Sequence, residues 1–118
     1  MYKVKIKDYE YKIIETSNKK DKRLCYTDEN NFAIGTCNVF KQEIVVLGTL
    51  SKTRFKKTLI HEITHAFLEA YGFKDNVFNE EEVSYFNECY IEQIMEIANA
   101  YMDYKNRKER KKWNVKRK

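Results

Sequence analysis

The only two histidines of this 118-residue chain stand four residues apart, in the stretch T-L-I-H-E-I-T-H-A-F at residues 58–67. On a helix, at about 100° per residue, His61 and His65 come to lie roughly 40° from each other on one face. Two imidazoles so placed can hold one Zn²⁺ at about 2.0–2.1 Å each. Glu62 sits beside the pair, where its carboxylate can take a proton from a coordinated water. An amphipathic helix with two partly buried histidines would share the spacing. Phe55, Leu59, Ile63, Ala66, Phe67 and Ala70, however, form an apolar stripe on the other side, so this helix has a core face without the histidines.

A catalytic zinc site ordinarily has three protein ligands and a water. With no third His, the remaining ligand is Asp, Glu or, with no spacing to support it, Cys. The obvious supply is Glu80, Glu81 and Glu82, at the start of a second helix capped by Asn79. Glu81 points nearly opposite that helix's apolar stripe. Glu82 is also placed to complete a capping box with Asn79. Glu80 is therefore the preferred ligand, with Glu82 or Glu81 as alternatives. All three also suit the positive end of a helix dipole with no metal involved.

The rest of the chain supplies a small sheet and two helices. Residues 2–14 alternate charged and apolar, which predicts one or two half-buried strands with a bend near Asp8. Residues 16–23 read as an exposed loop, with a short helix starting there as the alternative, 24–26 as a brief strand or the end of that loop, and 27–31 as a turn. Residues 32–38 and 43–47 read as an antiparallel hairpin. The unbroken apolarity of residues 44–47 implies that both faces of the second strand are covered. Ser51 caps a first long helix running to Tyr71, and Gly72 suits its C-terminal end. Residues 73–78 form a short connection. In the second long helix Val83, Phe86, Tyr90, Ile94, Ile97 and Tyr101 make the packing stripe, and the helix is expected to persist to about residue 105.

Length bounds the chain to one domain. Its three cysteines are scattered, with no C-x-x-C pair, which argues for a reducing, cytoplasmic setting and for cysteine as small buried filler. No apolar run approaches the roughly 18 residues of a membrane span, so no membrane partner is expected. The net charge of +5 is uneven: residues 105–118 carry nine Lys/Arg against Glu109, which leaves residues 1–104 at −3. The organisation expected is a domain over 1–104 and a basic tail over 105–118.

The stretch from Thr58 to Phe73, followed by N-E-E-E-V at 79–83, resembles small zincin-type metallopeptidases of phages and mobile elements, SprT-like or ImmA/IrrE-like. Thr58, Leu59, Ile63, Thr64, Ala66 and Phe67 fill the flanking places of the longer zinc-peptidase pattern. A His-completed, SprT-type site is excluded, as is the three-His pattern of the metzincins. In the ImmA/IrrE group the third ligand is the first acid of E-x-x-A-[ND]. Residues 80–84 match it with Val83 for Ala and Ser84 for Asn/Asp. The resemblance covers about residues 47–98. It implies an α+β minimal zincin, a small antiparallel or mixed sheet packed on an H-E-x-x-H active-site helix and a following glutamate-bearing helix.

The function expected is that of a zinc-dependent peptidase. His61, His65 and Glu80 would hold Zn²⁺, Glu62 would act as general base, and a protein or peptide substrate would lie along a sheet edge, with residues 32–38 as the candidate edge. The rival is a non-catalytic metal-binding regulatory protein that docks weakly on nucleic acid through residues 105–118, with Trp113 stacking on bases. A terminal Lys/Arg run is more often simply solvated. An intact Glu62 favours chemistry.

Overall fold

The alternating N-terminal segment forms two strands, β1 (Tyr2–Ile6) and β2 (Tyr9–Thr16). They pair antiparallel, Ile6 opposite Tyr9 and Val4 opposite Tyr11. The phase shift at Asp8 is a two-residue turn in which Lys7 takes φ 56°. The computed structural model describes residues 1–73 and 79–117, with side chains to residue 112. The expected connection over 73–78 lies outside the described residues apart from Phe73, and so does the Trp113 side chain.

The second pair is the antiparallel hairpin expected from residues 32–47, trimmed to β3 (Gly35–Asn38) and β4 (Glu43–Leu47). Asn38 Oδ1 accepts from the backbone N–H groups of Phe40 (3.1 Å) and Lys41 (3.0 Å), which shapes the turn. β4 also pairs parallel to β2, giving a mixed sheet in the order β1-β2-β4-β3. β4 is thus central and covered on both faces. Ile44 and Val46 join the main core, while Val45 and Leu47 pack with Leu24 on the other side. Leu24 is fully buried and comes from a 3₁₀ turn (Lys22–Leu24), the short helix left open for the end of that loop rather than a brief strand. Asp21 Oδ1 caps that turn by accepting from the Arg23 N–H.

Both helices contribute to the core on the main face, so the fold is α+β. α1 (Lys52–Ala70) begins where Ser51 Oγ accepts from the Arg54 N–H at 3.3 Å. It ends in a Schellman closure: Gly72 takes φ 76° and donates to Glu69 O, and Phe73 N–H donates to Leu68 O. α2 (Glu80–Arg117) begins where Asn79 Oδ1 accepts from the Glu82 N–H at 2.8 Å. Its stripe of Phe86, Ile94, Ala98 and Tyr101 is buried. Val83, expected in that stripe, is 45% exposed. Packing starts one turn later, where the Phe86 ring meets Phe73 edge-on at 5.2 Å.

α2 does not stop near residue 105. Lys, Arg and Glu are good helix formers, and no Gly or Pro interrupts them, so the helix continues through the basic stretch. Lys105, counted by charge with the tail, is only 8% exposed. Its Nζ lies 2.7 Å from Glu15 Oε2 and 4.5 Å from the centre of the Phe55 ring, which pins α2 to β2 and α1. Among the described residues, no helix is long and apolar enough to cross a membrane.

Candidate metal centre

The amphipathic pattern of α1 fixes what each of its sides presents. Phe55, Leu59, Ile63, Ala66 and Phe67 are each at most 1% exposed, and His61 and His65 face solvent. The two imidazoles converge, with Nε2 of His61 3.1 Å from Nε2 of His65 and the rings inclined at 76°. Two nitrogens about 2.05 Å from one ion, at the tetrahedral angle, are about 3.3 Å apart. The pair is therefore already at the spacing that a shared Zn²⁺ asks for. Without a metal, the same distance lets one neutral imidazole donate to the other.

Glu62 lies on the boundary between the core and this face. It is 7% exposed, and its side chain faces Gly35 in β3, where a Cβ would stand 3.2 Å from the Glu62 Cγ. Burial pushes its pKa above the ordinary carboxylate range, and the adjacent imidazoles of His61 and His65 act in the opposite sense. Among the described residues no hydrogen-bond donor engages it. A buried carboxylate of raised basicity, beside a pair of metal-type ligands, is suited to proton transfer.

β3 and α1 approach closely because residue 35 has no side chain. A Cβ there would stand 2.5 Å from Cγ2 of Thr58 and 3.3 Å from Oε2 of Glu62. Thr58 itself is held by its Oγ1 donating to the Arg54 carbonyl at 2.8 Å. From this close approach an open groove of about 890 Å³ leads away toward the N-terminal end of α1. Phe32, Ala33 and Ile34 line one side, and Arg54, Lys57, Thr58 and His61 the other.

The structure thus places His61 and Glu62 at one end of a groove, with His65 against His61 just outside it. It does not gather Glu80, Glu81 or Glu82 with them: among the described residues no set of three His, Cys, Asp or Glu side chains is arranged to hold a metal. The three glutamates are exposed in the first turn of α2. The three cysteines are unpaired. Cys37 is half-buried on β3, where burial, reinforced by the charges of Glu62 and Glu69, pushes its thiol up to about 12. Cys25 and Cys89 are exposed, so the expected filler role fits Cys37 alone.

Sequence reasoning missed Gly35, Arg54 and Lys57 as parts of the site. Arg54 and Lys57 precede His61 by seven and four residues, so their shared helix face was readable. What gives that face a function is the opposite wall, and this is set by the sheet. No protein-family model, no curated protein and no solved structure matches the chain.

Proposed function

We propose that this chain is a zinc-dependent peptidase of minimal zincin architecture. The observation that carries the reading is the facing Nε2 pair of His61 and His65, with Glu62 buried beside it, at the end of a groove that borders an edge strand. The imidazole pair suits Zn²⁺, and Glu80 is the residue we assign as third protein ligand, with Glu81 and Glu82 as the alternatives; the structure gathers none of the three with the pair, and the assignment rests on the resemblance and on the need for an acid. Zinc, when bound, would polarise the substrate carbonyl and lower the pKa of a coordinated water to about 7.

The chain's own groups would do the rest. β3 is an edge strand, so one side of its backbone is free to pair with an extended substrate. That pairing would fix the scissile bond beside Glu62. The Glu62 carboxylate would accept a proton from the attacking water as the C–O bond forms. It would then deliver that proton to the amide nitrogen as the C–N bond breaks, leaving a carboxylic acid and an amine, between which the remaining proton passes to give carboxylate and ammonium. Burial of Glu62 keeps it basic enough for the first transfer and holds it in position for the second.

Zinc titration tests the centre. Wild-type protein should bind one Zn²⁺ per chain, and His61→Ala and His65→Ala should each lose it. Among Glu80→Gln, Glu81→Gln and Glu82→Gln, the first should weaken binding most. Histidine variants with wild-type zinc affinity would refute the centre. Unchanged affinity in all three glutamine variants would refute the ligand assignment alone.

A second reading, of a regulatory protein docking on nucleic acid, draws on one observation. The basic stretch is helical and exposes Arg107, Lys108, Arg110, Lys111 and Lys112. A chain ending at Asn106 keeps the Lys105–Glu15 pair, and it should lose any salt-sensitive nucleic-acid binding if this reading holds.

A further inference from the structure

The groove has a charge asymmetry that the hydrolytic chemistry does not require. Arg54 and Lys57 line its α1 side, both are exposed, and neither has a carboxylate partner among the described residues. Two unpaired cations on one wall of a cleft attract a complementary anion. The facing wall, Phe32 to Ile34, offers no charge. Resting on the peptidase reading above, we propose that Arg54 and Lys57 form a specificity subsite for a carboxylate on the C-terminal side of the scissile bond.

The side follows from strand direction. Gly35 lies against Thr58 and Glu62, whereas Val39 and Phe40, just past the end of β3, line one pocket with Glu69 and Ala70, further along α1. β3 therefore runs in the same sense as α1 past the site. Antiparallel pairing is the more stable per residue, so a substrate adding to this edge runs opposite to β3, from the Asn38 end toward the Gly35 end. Having passed Glu62, it enters the groove bordered by Lys57 and Arg54. The residues that meet these cations are those after the bond that is cut.

Distance sets the register. Lys57 is one turn of helix before His61, about 6 Å, and Arg54 about 10 Å. An extended chain advances about 3.3 Å per residue. The carboxylate therefore belongs about two or three residues beyond the scissile bond. An Asp or Glu side chain supplies it, and so does the terminal carboxylate of a substrate that ends there.

The experiment uses the zinc-loaded full-length chain and a mixture of peptides varied at each position, in C-terminally free and amidated forms, with cleavage sites read by mass spectrometry. Acid at the second or third position after the cut should raise kcat/KM by tenfold or more over the neutral isostere. Arg54→Glu and Lys57→Glu should each remove that preference and favour Lys or Arg there, while Lys5→Glu on β1, at the opposite edge of the sheet, leaves it unchanged. Raising the salt concentration should shrink the preference. Retention in amidated peptides assigns it to the side chain, and loss on amidation assigns it to the terminal carboxylate. Cleavage with no preference for acid, or a preference that survives both charge reversals, overturns the subsite and leaves the peptidase reading standing. No cleavage of any peptide in the mixture overturns both.

Discussion

Gly35 of β3 and Thr58 of α1 are so close that a Cβ on residue 35 would stand 2.5 Å from Cγ2 of Thr58. Thr58 cannot readily swing away, because its Oγ1 is committed to the Arg54 carbonyl. This contact sets how near the sheet edge lies to Glu62. Gly35→Ala should therefore cost about 1–3 kcal/mol in urea unfolding, as overpacking of a tight contact does. Thr58→Ser removes the clashing methyl and keeps the hydroxyl, so it should restore much of the loss in the double variant. Additive effects of the two substitutions would show that the contact does not set the spacing.

The far end of α2 depends on an ion pair with unequal exposure. The Lys105 side chain is 10% exposed and the Glu15 side chain 33%. Removing Glu15 leaves an ammonium with little access to water and only the exposed Glu109 carboxylate, at 3.5 Å, as its partner, whereas removing Lys105 leaves a carboxylate that still reaches water. Glu15→Gln should destabilise by about 2 kcal/mol, below the full cost of a wholly buried pair. Lys105→Met should cost no more than about 1 kcal/mol. Equal losses would contradict the asymmetry.

Alkaline pH should unfold the protein through its buried phenols. Burial pushes Tyr11 from 10.0 up to about 12 and raises Tyr101 still further, the latter with help from the charge of Glu15. The fold favours the neutral phenol, so this contribution is intact below pH 10 and declines as pH rises from 10 toward 12. The decline is about 1.4 kcal/mol per pH unit for each such group. Urea midpoints measured across that window should fall, and Tyr11→Phe should flatten part of the slope. A wild-type midpoint constant to pH 12 would contradict the burial argument.

Glu62 should lower the stability of the metal-free protein. Its raised pKa means that the fold favours the protonated acid, so ionisation lowers stability as pH rises through the carboxylate range. Metal-free Glu62→Gln should melt at a higher temperature than wild type at pH 7, with the difference closing below about pH 4, where the unfolded carboxyl is also protonated. A lower melting temperature at pH 7 would mean that the carboxylate is stabilised by the fold.

Local chemistry made much of this fold legible. Ser51, Gly72 and Asn79 marked helix ends by capping, and those caps form. The unbroken apolar run of β4 marked a central strand, because only a strand covered on both faces carries no polar side. Leu24 was harder to read: its burial depends on a loop folding over the second sheet face, and no periodicity announces that. α2 runs well past residue 105, the end expected for it, because the apolar stripe stops there while Lys and Arg still propagate a helix well. At the site, the spacing of His61, Glu62 and His65 told their shared position on α1. The groove was not legible, since it exists only where β3 passes α1 at Gly35.

The central claim is that Glu62 moves the proton in peptide hydrolysis at a zinc centre held by His61 and His65. The most direct measurement is kcat/KM of wild type and Glu62→Gln on the same peptide substrate, at one Zn²⁺ per chain in both. We predict that zinc content is equal and that the variant loses at least about a hundredfold in turnover, the scale of a lost general base. Equal hydrolysis by the two proteins at matched zinc would contradict it.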